Sequence, residues 1–110
     1  MSAMKIVRTK RYLKDMKRIG ASSSDIAALE HAIASNPAVG DVIQGLGGIR
    51  KMRFGLGNRG KRGGGRAIYF LMLSDDAALM LTAYAKNEMA DLSSADRKVL
   101  LALVKELTDD

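Results

Sequence analysis

The twenty residues RAIYFLMLSDDAALMLTAYA, Arg66 to Ala85, hold two strongly apolar runs broken by one polar triplet. Residues 66–73 and 77–85 are the runs, and Ser74-Asp75-Asp76 between them supplies turn residues. Such a stretch reads as a β-hairpin at the centre of a sheet. Immediately upstream, residues 49–54 alternate: Met52 and Phe54 fall on one face of a strand, Lys51 and Arg53 on the other. The glycine-rich GLGNRGKRGGG that joins this strand to the hairpin is too irregular for either regular element.

Further out, both ends of the chain turn helical. Tyr12, Leu13, Met16 and Ile19 follow helical spacing and Gly20 closes that helix. A second helix starts in Ser22-Ser23-Ser24-Asp25, carries Ile26, Leu29 and Ile33, and must end before Pro37. Residues 4–7 alternate weakly, as a short edge strand does. At the other end, Ser93 with Asp96 forms a capping-box pattern ahead of Val99, Leu100, Leu103, Val104 and Leu107. The expected order is β-α-α-β-β-β-α, an α+β fold. It combines an antiparallel sheet of three to four strands with an N-terminal helical hairpin and a C-terminal helix, the helices lying on one face. Residues 1–110 read as a single domain, with no internal repeat and no separable linker.

Composition removes whole classes of chemistry. No cysteine is present, so disulfides, thiolate metal sites and a cysteine nucleophile are excluded. His31, the only histidine, sits mid-helix beside Glu30, so acid–base cleavage by a histidine pair is excluded as well. The carboxylates form no metal-binding group: Asp75-Asp76 is a turn and Asp109-Asp110 a tail. No cofactor and no metal are expected. The seven methionines are scattered and serve as core filling. The start of the chain lacks an apolar signal region and no segment is long and apolar enough for a membrane span, so a cytoplasmic protein without membrane contact is expected.

Charge is concentrated. The chain carries a net +6, yet residues 42–74 contain no acidic residue and hold Arg50, Lys51, Arg53, Arg59, Lys61, Arg62 and Arg66. A field of one sign points to a polyanion partner. A patch that keeps the protein soluble, or docks an acidic protein segment, remains open on composition alone. Two nucleotide motifs in the glycine run fail on context. Gly55, Gly57 and Gly60 match G-x-G-x-x-G, and Gly55 to Lys61 nearly spells a Walker A loop, but a strand follows instead of the helix whose start would hold phosphate. The magnesium-holding Ser or Thr is also replaced by Arg62.

Three segments together resemble one known family. Ile43-Gln44-Gly45-Leu46-Gly47-Gly48-Ile49-Arg50-Lys51-Met52-Arg53 resembles the I-x-G-x-G-G-h-R-K-h-R segment of HigB-type toxins in the RelE/ParE superfamily. Gly60-Lys61-Arg62-Gly63-Gly64-Gly65-Arg66-Ala67-Ile68-Tyr69 is similar to G-K-x-G-G-x-R-h-h-Y, and Ala83-Tyr84-Ala85-Lys86-Asn87-Glu88 to h-Y-x-K-N-E. Order and spacing agree over nearly the whole chain. Arg62 departs by standing where a small residue is common, and Gly65 by standing where a larger residue precedes the arginine.

The resemblance implies a RelE/HigB-type toxin of a toxin–antitoxin pair: a ribosome-dependent, metal-independent mRNA endoribonuclease that inhibits translation and is held by a cognate antitoxin. Cleavage would proceed by attack of the 2′-hydroxyl on the adjacent phosphate, leaving a cyclic phosphate and a 5′-hydroxyl. That reaction needs proton transfer and cations around the phosphorane, and only Lys, Arg and Tyr are available. Tyr84 or Lys86 is assigned to proton transfer, with Arg53, Arg66 and Lys51 stabilising charge. Arg50, Arg59, Lys61 and Arg62 are assigned to contacts with RNA and the ribosome. Two other readings stay open: a ParE-like topoisomerase inhibitor and a basic RNA-binding module without chemistry. Tyr84 also reads as a core residue.

Overall fold

A computed structural model describes residues 4–57 and 64–108. The strands are β1 (Lys5–Arg8), β2 (Asp41–Val42), β3 (Arg50–Phe54), β4 (Gly65–Met72) and β5 (Ala77–Ala85); the helices are α1 (Lys10–Arg18), α2 (Ser23–Ser35) and α3 (Ser94–Thr108). They form one sheet in the order β1-β5-β4-β3-β2. The α+β class and the central hairpin agree with the sequence reading. The sheet is larger and less uniform than expected, with five strands and with β1 pairing parallel to β5. The extra strand is the two-residue β2, too short to leave a periodic pattern. Among the described residues, no helix is long and apolar enough to cross a membrane.

Local chemistry sets the helix ends. Thr9 caps α1 by accepting from the Tyr12 amide, and its hydroxyl donates to the Met80 carbonyl at 2.8 Å, tying the helix start to β5. Ser22 and Asp25 complete a reciprocal capping box on α2. Ser93 and Asp96 make the corresponding bonds ahead of α3. Gly20 follows α1 at φ +74°, a conformation that glycine adopts without the steric cost a Cβ would add.

The helices cover both faces of the sheet, not one. Tyr12 and Met16 of α1 and Leu29 and Ile33 of α2 pack with Phe54, Ala67, Tyr69, Ala78 and Met80 on the first face. Leu100 and Val104 of α3 pack with Ile43, Ile49, Ile68, Phe70, Leu79 and Leu81 on the second. A strand buried on both faces needs apolar residues at every position, which explains why all nine residues of β5 are buried. Leu13 and Val99 keep helical spacing yet remain outside these clusters, 48% and 55% exposed.

Two polar devices fix the interior. The register between β4 and β5 shifts at Ile68/Tyr69, so that Ile68 faces Thr82 while Tyr69 faces Met80. Buried Asp15 of α1 serves this bulge, accepting from the Thr82 hydroxyl and, at 3.1 Å, from the Ala83 amide. Arg18 neutralises Asp15 and continues to the Ala83 carbonyl. At the other side, buried Tyr69 donates to the Pro37 carbonyl at 2.8 Å and accepts from the Gly40 amide at 2.9 Å. The chain entering β2 is held there. A Cβ on Gly40 would lie 2.7 Å from the Tyr69 hydroxyl oxygen and 3.0 Å from the Lys51 carbonyl, whereas one on Gly55 would meet nothing within 4 Å. Gly40→Ala should therefore destabilise the protein by about 1–3 kcal/mol and Gly55→Ala by much less. Urea unfolding of the two variants checks this; equal midpoints would show that the Tyr69 anchor is not tight.

Candidate active site

The site lies at the end of the sheet where β3, β4 and β5 run side by side. Alternation along β3 sends Lys51 and Arg53 to the α3 face, and Arg50, Met52 and Phe54 to the opposite face. In the paired register, Arg53 stands opposite Arg66, and Arg66 opposite Tyr84. Directly opposed residues bring their Cβ atoms to about 4.5–5.5 Å. A row Arg53–Arg66–Tyr84 thus crosses three strands. Gly65, which departs from the resemblance pattern, is explained by Phe54: a Cβ there would lie 2.6 Å from the Phe54 ring.

An open cleft of about 600 Å³ fronts this row, and Lys51, Arg53, Arg66 and Lys86 line it together with Asp41 and Ala90. Four of the five residues assigned to catalysis therefore share one cavity. Arg66 is only 8% exposed, and its Nη1 donates to the Gly65 carbonyl at 3.1 Å. Among the described residues no carboxylate lies within 4 Å of Arg53, Arg66 or Lys86. Burying a cation costs free energy unless an anion or strong acceptors compensate, and two like charges facing each other across strands add repulsion. An anionic ligand between them relieves both costs.

Tyr84 lies on the same row but behind the cleft. It is 1% exposed, packs with the α3 cluster, and its hydroxyl has no hydrogen-bond partner among the described residues. Burial pushes its phenol above the ordinary value; Asp91 reinforces this, while Arg66 and Arg97 oppose it. Arg50 is directed elsewhere: its Nη1 donates to the Gly40 carbonyl at 2.7 Å and to the Ala38 carbonyl at 3.3 Å, on the face away from the cleft. Arg59, Lys61 and Arg62 lie outside the described residues.

Sequence reasoning missed three groups around the site. Asp91 and Arg97 flank the capping box of α3, and Asp91 reaches Lys51 at 3.5 Å and Arg97 at 3.7 Å. Neither belongs to a motif; only the docking of α3 places them here. Glu88, the last residue of the K-N-E stretch, folds back to accept from the Ala85 amide at 3.0 Å and to pair with Arg18 at 2.7 Å. The Arg18 guanidinium holds its carboxyl below the ordinary range, and the Ala85 amide adds to the effect. The backbone that presents Lys86 is secured from both sides, because the Lys86 amide donates to the Gly64 carbonyl at 3.0 Å.

The fold is a small α+β domain with four cations, one of them buried, gathered in an open cleft at one end of its sheet. The family model described as RelE toxin of the RelE/RelB toxin–antitoxin system matches residues 4–109. The chain belongs to the RelE toxin family. Solved structures share the fold at low identity. The isolated E. coli RelE toxin is 13% identical with a TM-score of 0.58, over 92% of this chain and 99% of that one. A mutant of the E. coli toxin in the free state is 14% identical with a TM-score of 0.57, over 80% and 88%. The toxin–antitoxin complex RelBE2 from Mycobacterium tuberculosis gives 16%, 0.55, 76% and 98% in the same order.

The unpartnered hydroxyl of Tyr84 makes a stability prediction. A buried hydroxyl without a partner carries a desolvation cost of about 1–3 kcal/mol, so Tyr84→Phe should leave stability unchanged or raise it. Chemical denaturation reads this directly. A loss of about 2 kcal/mol would mean that the hydroxyl is bonded in the folded protein.

Proposed function

We propose that this chain is the toxin of a toxin–antitoxin pair, a metal-independent endoribonuclease that cuts messenger RNA on the ribosome. The observation that carries the reading is buried Arg66 facing Arg53 in a cleft completed by Lys51 and Lys86. Phosphodiester cleavage by a neighbouring 2′-hydroxyl passes through a phosphorane with extra negative charge, and fixed cations stabilise that state more than the ground state. Arg66, held on a central strand, and Arg53 beside it fill this role, with Lys51 adding charge. Lys86 takes the proton-transfer role because it lines the cleft and can exchange a proton. Tyr84, enclosed behind the row, supports Arg66. Arg59, Lys61 and Arg62 would grip RNA phosphates, and Arg50 braces the segment before β2.

Membership of a toxin–antitoxin family supports a protein partner that restrains the activity, and action on the ribosome would require the chain to work in the cytoplasm. The solved E. coli RelBE complex, which resembles this fold, joins a toxin with its antitoxin. Solo expression should arrest growth, and a neighbouring small gene product should relieve it.

Mapping of mRNA 5′ ends after induction tests the function. In-frame cuts within translated regions are expected, and purified protein should cut mRNA on programmed ribosomes while barely cutting naked RNA. Arg66→Ala should lower the single-turnover rate by about 10²–10³ with ribosome affinity nearly intact. Cutting at the wild-type rate would remove Arg66 from the chemistry. Uncut mRNA with blocked DNA supercoiling would replace this reading by topoisomerase inhibition, and neither effect by a plain binding module.

A further inference from the structure

Two carboxylates neighbour the cleft cations: Asp41 lines the cleft without a salt bridge among the described residues, whereas Asp91 pairs with Lys51. Asp91 sits in the segment between β5 and α3, beside cleft residue Ala90. One carboxylate oxygen lies 3.5 Å from the Lys51 ammonium and also accepts from the Leu92 amide at 2.8 Å; the other lies 3.7 Å from the Arg97 guanidinium. Among the described residues, Asp91 is the only carboxylate within 4 Å of Lys51 or Arg97. The neighbouring Asp96 is committed to Ser93 and Arg11. Arg97 thus stands with Lys51 around a single anion at the rim of the cleft, one cation from α3 and one from β3.

These distances are those of loose, solvent-accessible pairs, which contribute little to stability. An RNA phosphate brings two free non-bridging oxygens that suit a guanidinium fork, whereas one Asp91 oxygen is already engaged by the Leu92 amide. The carboxylate is half-exposed and can swing toward solvent, leaving the position between the two cations to the phosphate. The opposing effects of Asp91 and Arg97 on the Tyr84 phenol place both within electrostatic reach of the Arg66–Tyr84 row.

We propose that Arg97 is a further RNA-binding residue of this cleft, forming with Lys51 a clamp for a backbone phosphate, and that Asp91 is the internal anion which this phosphate displaces. The proposal deepens the reading of the cleft as an RNA site and rests on it. It also gives the segment before α3 a function: its carboxylate competes with the RNA phosphate and lowers affinity.

The test uses the full chain and a non-cleavable 2′-O-methyl heptanucleotide, with binding followed by fluorescence anisotropy across a salt series. Asp91→Asn keeps an acceptor for the Leu92 amide and removes the charge. It should tighten binding about threefold at low salt and steepen the log–log salt slope by about 0.7, one effective charge on a single strand. Arg97→Gln should weaken binding about threefold and flatten the slope by the same amount, and Arg97→Lys should restore part of the loss. Lys98→Gln, exposed one position along α3, measures the general effect of losing one positive charge and should change binding less than Arg97→Gln. Wild-type binding by both Asp91→Asn and Arg97→Gln, equal losses in Arg97→Gln and Lys98→Gln, or no binding of the oligonucleotide by any variant would each overturn the proposal. If Asp91→Asn binds tighter while mRNA on programmed ribosomes stays uncut, the clamp stands and the nuclease reading falls. If mRNA is cut but the variants bind alike, the clamp alone falls.

Discussion

The structure depends on the burial of β4 and β5 between two helical layers. β5 is paired on both edges, parallel to β1 and antiparallel to β4, and is covered by α1 and α2 on one face and by α3 on the other. Every backbone amide and carbonyl along it must find a partner within the protein, and every side chain must suit an apolar surrounding. The irregularity opposite Ile68 and Tyr69 shows how strict this is. The bulge that re-aims the end of β5 is completed by a buried aspartate from α1, which itself requires Arg18. The same arginine holds Glu88, so one side chain links the interior of the sheet to the segment carrying Lys86.

The cleft forms where this double covering runs out. Toward the Gly65 end of β4 and the Ala85 end of β5, apolar side chains on the α3 face give way to Arg66, Tyr84 and then Lys86. Rigid strands hold the charges, and the buried flank of Arg66 lowers the local dielectric, which strengthens its pull on an anion. Keeping two arginines opposite each other works against stability, and such local conflict is characteristic of sites retained for function. Asp91 offsets part of the field at the rim without reaching the Arg53–Arg66 pair.

Much of the architecture was legible because short-range chemistry decides it. Capping residues at Ser22 and Ser93, the apolar spacing of Tyr12, Met16, Leu29 and Ile33, and the turn residues 74–76 each act within a few positions of themselves. The alternation of residues 50–54 was enough to separate Lys51 and Arg53 from Met52 and Phe54, and hence to assign the faces of β3. The second helical layer was not legible: an amphipathic helix declares that it has an apolar face, not which side of a sheet that face will meet. The two-residue β2 and the parallel pairing of β1 lack any local pattern for the same reason.

The chain by itself therefore determined the fold class, the concentration of positive charge between residues 42 and 74, and the absence of cysteine and histidine-pair chemistry. These follow from composition and from periodicities that repeat every two or 3.6 residues. Tertiary structure alone decided which cations share the cleft. It set Arg53 against Arg66, turned Arg50 to the Gly40 and Ala38 carbonyls, enclosed Tyr84, and brought Asp91 and Arg97 to Lys51. Each of these depends on strand register or on where α3 docks, and both are settled by contacts between residues far apart in the chain.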